Sequence, residues 1–169
     1  MALNLNNNSN DLNWVEDCLE KGVKYFRNSY RSQPKLLINK LLCEAAKKSG
    51  HLPLIKAVAK HTNLNSKGAA LLYAIYDNNP EPIAFLFQLL KKDPHERYRA
   101  LSTAAFYKND AIMLMLYNNL NTVDFEETMT DLAKNNLTEA VRSYRSQHEK
   151  ITLQKTTVTV QHRRPRSRL

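Results

Sequence analysis

Glycine is scarce in this chain: only three of the 169 residues are glycine, whereas hydrophobic residues make up 43%. Sandwiches and barrels of short strands depend on frequent turns rich in glycine, so this scarcity argues against an all-β fold. The apolar residues recur instead at the three- and four-residue spacing of amphipathic helices. The sequence therefore predicts an all-α fold, in a chain long enough to bury a core of its own.

Long hydrophobic runs are also missing. The run at residues 83–90, interrupted only by Gln88, is much shorter than the roughly 20 apolar residues of a membrane-spanning helix, and no other apolar run is longer. The first thirteen residues contain six Asn and lack the basic and apolar stretches of a Sec signal peptide. We therefore expect a cytoplasmic protein without a transmembrane segment, or one secreted by a non-Sec route into a host cell.

Motifs for catalysis, nucleotide binding and metal binding are absent. The sequence has no Walker-A loop, GxGxxG, GxSxG or HExxH. Its two cysteines, Cys18 and Cys43, lie in helical patterns without CxxC spacing, and its five histidines show no paired ligand spacing. We expect no enzyme activity, no cofactor and no metal site, and we expect both thiols to be buried and free.

The apolar pattern divides the chain into three parts. Residues 1–10 are predicted to be a disordered lead, residues 11–150 a helical repeat domain, and residues 151–169 an extended basic tail. A stripe over residues 11–30 predicts an N-terminal capping helix, polar on its outer side. From residue 35 onward, the order helix, tight turn, helix, loop recurs in about four units, with the second starting at Gly68 and the third at Asp93.

Two sets of positions mark the repeat. The inner-helix alanines follow at intervals of 28, 30 and 29 residues: Ala46, Ala74, Ala104 and Ala133. The outer-helix positions follow at intervals of 28, 30 and 28 residues: Ile55, Ile83, Met113 and Val141. Small residues in the first set are expected where neighbouring inner helices approach closely. One helix pair cannot bury its apolar faces alone, so stacking of the units is needed for stability.

Local signals predict where helices begin and turn. In Asp93-Pro94-His95-Glu96, and again at residues 124–127, an acid can cap the helix while a glutamate reaches back to a free backbone N–H. The turns between paired helices are predicted to contain one residue of left-handed backbone each. These residues are Gly50, Asn78, Asn109 and Asn136.

Residues 45–65 resemble the middle of an ankyrin repeat. Ala45 and Ala46 end a short inner helix, Gly50 and His51 form a Gly-His turn, and residues 52–59 follow as an outer helix before a loop that ends in Asn. The TPLHxA signature is absent, and the units are shorter than the usual repeat of roughly 33 residues. The resemblance implies a short α-solenoid of degenerate ankyrin-like repeats. A different helical-hairpin solenoid and a non-repeat bundle are the alternatives.

The ankyrin resemblance implies a non-catalytic scaffold or adaptor that binds a protein partner through its repeat loops and inner helices. The connection at residues 91–99 concentrates cations on the loop side of two neighbouring units, and aromatic residues near the inner-helix ends can serve as anchors. The candidate partner-binding residues are Lys91, Lys92, His95, Arg97, Arg99, Tyr73, Tyr76 and Tyr107. They predict a partner with an acidic surface. The alternative is that the charges are simply solvated and the aromatics belong to the core.

The basic tail supports a second hypothesis. Of the net charge of +9, a share of +5 belongs to residues 151–169. Its β-branched first half could add a strand to a partner's sheet, and its end could bind a nucleic acid or an anionic surface. The residues concerned are Arg163, Arg164, Arg166 and Arg168. Their spacing also resembles C-terminal signals of bacterial type IV secretion, and with the Asn-rich lead it fits an effector of an intracellular bacterium. A solubilising tail is the alternative.

Overall fold

The computed structural model describes residues 8–120, residues 122–134 and Ser146. The predicted outer helix at residues 137–150, apart from Ser146, and the predicted tail lie outside these residues. Over the described residues the chain is helical and contains no strand, which confirms the all-α prediction there. The helices are α1 (Asn8–Ser29), α2 (Lys35–Lys47), α3 (Leu52–Val58), α4 (Leu64–Tyr76), α5 (Pro80–Leu90), α6 (Pro94–Phe106), α7 (Asp110–Asn118) and α8 (Thr122–Lys134).

The helices pack in two series. Tight turns join α2 to α3, α4 to α5 and α6 to α7, and the two members of each pair contact each other. The inner helices α2, α4, α6 and α8 contact one another in that order, and the outer helices α3, α5 and α7 do likewise. Helix α1 covers α2 and α3. The described residues thus contain three complete helix pairs and the first helix of the predicted fourth.

Helix α1 begins at Asn8, so the last three residues of the predicted lead are helical. It is also bent at Gly22, where φ is 72°, a left-handed value that favours a residue without a β-carbon. The indole Nε1 of Trp14, before the bend, donates to the Ser29 hydroxyl at 2.9 Å. This bond ties the two segments of α1 together, so the helix can follow the surface of α2 and α3.

The turns of the three pairs share one geometry. Gly50, Asn78 and Lys108 have φ values of 81°, 53° and 52°, at intervals of 28 and 30 residues. Left-handed backbone at Gly50 and Asn78 was predicted, but the prediction for Asn109 is wrong by one position. Asn109 instead caps α7, its side-chain oxygen accepting from the Ile112 N–H at 3.1 Å, so the left-handed residue is Lys108.

The described repeat positions lie in one continuous core. The alanines Ala46, Ala74 and Ala104 are fully buried, and so are the outer-helix residues Ile55 and Ile83. Met113 is buried as well, whereas the side chains of Ala133 and Val141 lie outside the described residues. Small side chains on the inner helices leave room for close helix approach, which explains why α4 can contact both α2 and α6.

Helix α4 begins at Leu64, four residues before the predicted start at Gly68. The side chain of Asn63 caps it by accepting from the Ser66 N–H at 2.9 Å. Gly68 therefore lies inside the helix, where it faces Glu96 of α6. A β-carbon at position 68 would lie 2.7 Å from Cδ of Glu96 and closer still to Oε2. The glycine is thus a packing requirement and not a helix start.

The predicted start of α6 is confirmed in part. Oδ1 of Asp93 accepts from the N–H groups of His95 and Glu96 at 2.9 and 3.3 Å, and Pro94 occupies the first turn. Glu96 does not reach back to the cap, however. Its side chain is buried and bonded to Arg99. No helix among the described residues is both long and apolar enough to cross a membrane.

Candidate partner-binding groove

A groove of about 650 Å³ lies on the inner helices α2, α4 and α6. Successive turns of α4 and α6 contribute side chains to the groove, and the end of α2 adds Lys47. The polar and aromatic side chains that line the groove are Lys47, Tyr73, Tyr76, Arg99, Thr103, Tyr107 and one acid, Asp77; Ala69 and Leu72 complete its wall. Three helices from three units therefore contribute to one site.

The aromatic residues of the groove are exposed and are not part of the core. Tyr73, Tyr76 and Tyr107 expose 44%, 62% and 46% of their surface, and the neighbouring Phe106 exposes 76%. The rings of Tyr76 and Tyr107 meet edge to face with centroids 5.2 Å apart, and Phe106 meets Tyr107 in the same way at 5.2 Å. Contact across α4 and α6 orients these rings while leaving their outer faces accessible to a partner.

Two cations of the groove are held in place by acids of their own helix. Lys47 lies 2.8 Å from Oε1 of Glu44, a hydrogen bond that raises the lysine pKa, and its Nζ sits 4.5 Å from the centre of the Tyr73 ring. Arg99 donates to Oε1 of Glu96 at 2.9 Å. This bond uses one of the five N–H donors of the guanidinium, which leaves donors for an acidic ligand.

Arg97, a predicted partner-binding residue, lies inside the protein. Only 2% of its side chain is exposed. Its guanidinium donates to the Lys91 carbonyl at 2.9 Å and pairs with Asp124 at 3.2 Å and Glu127 at 2.5 Å. Arg97 therefore joins α6 to α8 and is not available at a surface. The predicted cap at Asp124 is wrong, because α8 begins at Thr122 and Asp124 lies in its first turn; Asp124 and Glu127 pair with Arg97 instead.

The other loop cations lie at the edge of the groove or beyond it. Lys92 and His95 are exposed and Lys91 is half-buried. His95 is one helical turn before Arg99, so it lies on the same face of α6, towards the start of the helix. Lys91 and Lys92 precede α6 and do not line the groove. The structure thus brings together Tyr73, Tyr76, Tyr107 and Arg99 of the predicted set. The tail arginines lie outside the described residues.

Sequence reasoning missed Lys47 and Thr103. Lys47 is one of eleven lysines and arginines between residues 21 and 70, and nothing in its local pattern distinguishes it from the rest. Thr103 was detectable, because it lies four residues after Arg99 and four before Tyr107 and so shares their helix face. The clue was the spacing of the predicted residues themselves.

No three His, Cys, Asp or Glu side chains among the described residues come together as a metal site. Burial raises the pKa of the Cys18 thiol to about 11, with a further contribution from the charge of Asp17, and burial also raises the pKa of Cys43. Both cysteines are free, as predicted; Cys18 is buried, whereas Cys43 is only partly buried, so the prediction of burial is wrong for Cys43. Such thiols are poor nucleophiles, since the thiolate is the reactive form.

Comparison with protein-family models, with curated proteins and with solved structures gives no match to this chain. The geometry of the groove and the charges around it are therefore the features that bear on function.

Proposed function

We propose that this protein is a non-catalytic scaffold or adaptor made of degenerate ankyrin-like repeats, and that the groove binds a protein partner. The observation that carries the proposal is the gathering of three exposed tyrosines from α4 and α6 between Lys47 and Arg99. Tyrosine and arginine are enriched among the residues that dominate binding energy at protein interfaces. The ordered contacts of inner with inner and outer with outer helices support the repeat assignment.

The chemistry of the groove favours a partner segment that carries both an apolar side chain and a carboxylate. The apolar side chain would pack against the tyrosine rings, which offer large contact area at low entropic cost. The carboxylate would bind the free donors of Arg99 and Lys47. Lys92 and His95, nearby on the exposed side of the α6 start, would speed approach of an acidic surface more than they would strengthen the final complex.

The test is affinity capture from the native host, followed by direct binding of the captured protein after purification. The groove variant carries Tyr76→Ala and Tyr107→Ala. The matched control carries Leu64→Ala and Leu89→Ala, which remove comparable exposed apolar surface, 53% and 45% of each side chain, outside the groove. We expect the control to bind like the wild type, and the groove variant to bind at least about tenfold more weakly. Equal binding by all three proteins would refute the groove as the site.

A second candidate function is binding of a nucleic acid or an anionic surface by the basic tail. The cluster His162-Arg163-Arg164-Pro165-Arg166-Ser167-Arg168 in the sequence supports it. Phosphate binding by this cluster should weaken steeply as salt is added, because counterions compete. Deletion of residues 161–169 should remove that binding and leave partner capture by the groove intact. Binding that survives the deletion unchanged would exclude the tail.

A further inference from the structure

Positive charge is concentrated in one part of the chain. Residues 21–70 contain eleven lysines and arginines and a single acid, Glu44, which gives this segment a formal net charge of +10. The whole chain has a net charge of +9, so all other residues together sum to −1. The segment forms the second half of α1, α2, α3 and the start of α4, elements that contact one another. The first half of α1 adds four acids, Asp11, Glu16, Asp17 and Glu20, so residues 8–70 together carry a formal net charge of +6 and this end of the molecule is basic.

A separate cavity of about 340 Å³ opens in this basic end, between the end of α1 and the turn that follows α3. We call it the basic cavity and define it by Phe26, Arg27, Tyr30, Arg31, Lys60 and His61. Arg27, Arg31, Lys60 and His61 are exposed. No acidic residue lines the cavity, and none of its three Lys and Arg side chains forms an ion pair within the described part of the chain.

Stacked rings fix the wall of the basic cavity. Phe26 is fully buried and stacks on Tyr30 with ring centroids 5.1 Å apart. Tyr30 in turn lies against His61, with centroids 4.3 Å apart, and Phe26 is 5.9 Å from the same imidazole. These contacts tie the end of α1 to the turn after α3. Arg27 and Arg31 on one side and Lys60 on the other therefore line one cavity whose two walls are joined before any ligand binds.

Cations near the C-terminal end of a helix usually compensate the negative end of the helix dipole. This accounts for one cation at the end of α1 and one at the end of α3. It does not account for three cations and a histidine around a shared cavity without an acid. Like charges around one cavity repel, and the lining of this cavity contains no acid to relieve the repulsion. A bound anion would relieve it directly. The arrangement is therefore complementary to a small, multiply charged anion.

We propose that the basic cavity binds an anion with two neighbouring phosphoryl groups. The planar guanidinium fork matches phosphate oxygens in a bidentate manner, and the lysine adds a point charge. The volume suits a diphosphate or a phosphorylated headgroup and is too small for a folded partner. The same chemistry is offered by a free phosphorylated metabolite and by a lipid headgroup. This site does not depend on the function proposed for the groove.

The experiment uses the full chain and two probes, inorganic pyrophosphate and phosphatidylcholine vesicles with or without phosphatidylinositol bisphosphate. The cavity variant is Arg27→Gln with Arg31→Gln. The charge-matched control is Lys40→Gln with Lys48→Gln, two exposed basic residues of the same segment that do not line the cavity. Circular dichroism and Trp14 fluorescence check that each variant is folded. Calorimetry and vesicle co-sedimentation measure binding.

We expect pyrophosphate to bind the wild type and the control similarly, and to bind the cavity variant about tenfold more weakly. The same pattern with the bisphosphate vesicles would identify a lipid headgroup as a source, whereas the pattern with pyrophosphate alone would identify a free ligand. Arg27→Lys with Arg31→Lys, which keeps the charge and loses the fork, should bind at an intermediate level. No binding of pyrophosphate, or an equal loss in cavity variant and control, would overturn the proposal.

Discussion

At the scale of single residues, the close approach of a neighbouring helix explains why position 68 is a glycine. In most helix interiors Ala is favoured over Gly by about 0.5–1 kcal/mol. Here a β-carbon would collide with the buried carboxyl of Glu96. We expect Gly68→Ala to lower the free energy of unfolding by about 1 kcal/mol, because Glu96 must shift and strain its bond to Arg99. Urea unfolding followed by circular dichroism measures this change.

A double-mutant cycle separates the collision from other effects of the substitution. In a Glu96→Ala background the obstructing carboxyl is gone, so Gly68→Ala should now raise the free energy of unfolding by about 0.5–1 kcal/mol. The sign of the effect is therefore expected to reverse. The same sign in both backgrounds would show that the contact does not determine the residue at position 68.

The left-handed residues of the turns give a second residue-scale prediction. Lys108 adopts a φ of 52°, which costs a residue with a β-carbon about 1 kcal/mol, whereas glycine adopts it freely. Lys108→Gly should therefore stabilise the protein by up to about 1 kcal/mol, and Gly50→Ala should destabilise it by a similar amount. Thermal unfolding of both variants checks the two signs. A stabilised Gly50→Ala would contradict the shared turn geometry.

The Cys18 thiol predicts a pH dependence. Burial raises its pKa from 9.0 to about 11 in the folded state. The folded protein therefore holds this proton more tightly than the unfolded chain does. The resulting stability is fully present below pH 9.0 and is lost as the pH rises towards 11. We expect the stability advantage of the wild type over Cys18→Ala to shrink across this window. An advantage that is constant from pH 8 to pH 11 would argue against a raised pKa.

At the scale of helices, Arg97 attaches α8 to α6. Its buried guanidinium pairs with Asp124 and Glu127, which are 28% and 52% exposed, and it also binds the Lys91 carbonyl. Arg97→Ala should lower the free energy of unfolding by about 2 kcal/mol, less than for a fully buried pair because water can reach both acids. In this variant, relative to the wild type, hydrogen exchange should accelerate more for the amides of α8 than for those of α2.

The matched control for Arg97 is Lys92→Ala, which removes an exposed cation from the turn that precedes α6. We expect it to change stability by less than about 0.5 kcal/mol and to leave exchange in α8 unaltered. If Arg97→Ala behaved like Lys92→Ala, the pair with Asp124 and Glu127 would contribute nothing measurable to the attachment of α8.

Helix starts could be predicted from the sequence only where the cap is chemically distinctive. Asp93 followed by Pro94 identified the start of α6, because an acid cap and a first-turn proline combine there. Asn63 caps α4 equally well. An asparagine in a polar loop, however, is not accompanied by a second signal such as a first-turn proline. The start of α4 was therefore predicted too late, at Gly68. The role of Gly68 depends on Glu96, a residue 28 positions away, and such a contact is invisible to local patterns.

At the scale of the whole molecule, the sequence predicts which kinds of residue form the candidate site, but not which of the cations belong to it. Tyr73, Tyr76 and Tyr107 were predicted as anchors from their places near helix ends, and the fold brings them together. Arg97 and Arg99 looked alike in the sequence, yet two residues on a helix differ by about 200° around its axis, so one faces α8 and the other the groove. Only the arginine that is buried is unavailable to a partner, and which of the two is buried depends on the position of the neighbouring helix α8.

The continuous core predicts that the helix pairs unfold together. Trp14 in α1 is the single tryptophan of the chain and is 6% exposed, so its fluorescence reports on the first end of the core. Leu116 is fully buried and lies in α7, which belongs to the third helix pair. Leu116→Ala should lower the free energy of unfolding by about 3 kcal/mol. If each unit depends on its neighbours, the Trp14 transition and the far-UV circular dichroism transition should move to the same lower urea concentration.

Independent units would give a different result for the same variant. In long repeat arrays cooperativity breaks down, and damage to one end leaves the other folded. The Trp14 transition would then stay at its wild-type midpoint while the circular dichroism transition broadened or split. The matched control is Leu89→Ala in α5, which truncates a leucine that is 45% exposed and should shift neither transition appreciably. Since the inner helices contact one another from α2 to α8, we expect the two transitions to coincide. The three helices of the groove would then fold and unfold as one unit.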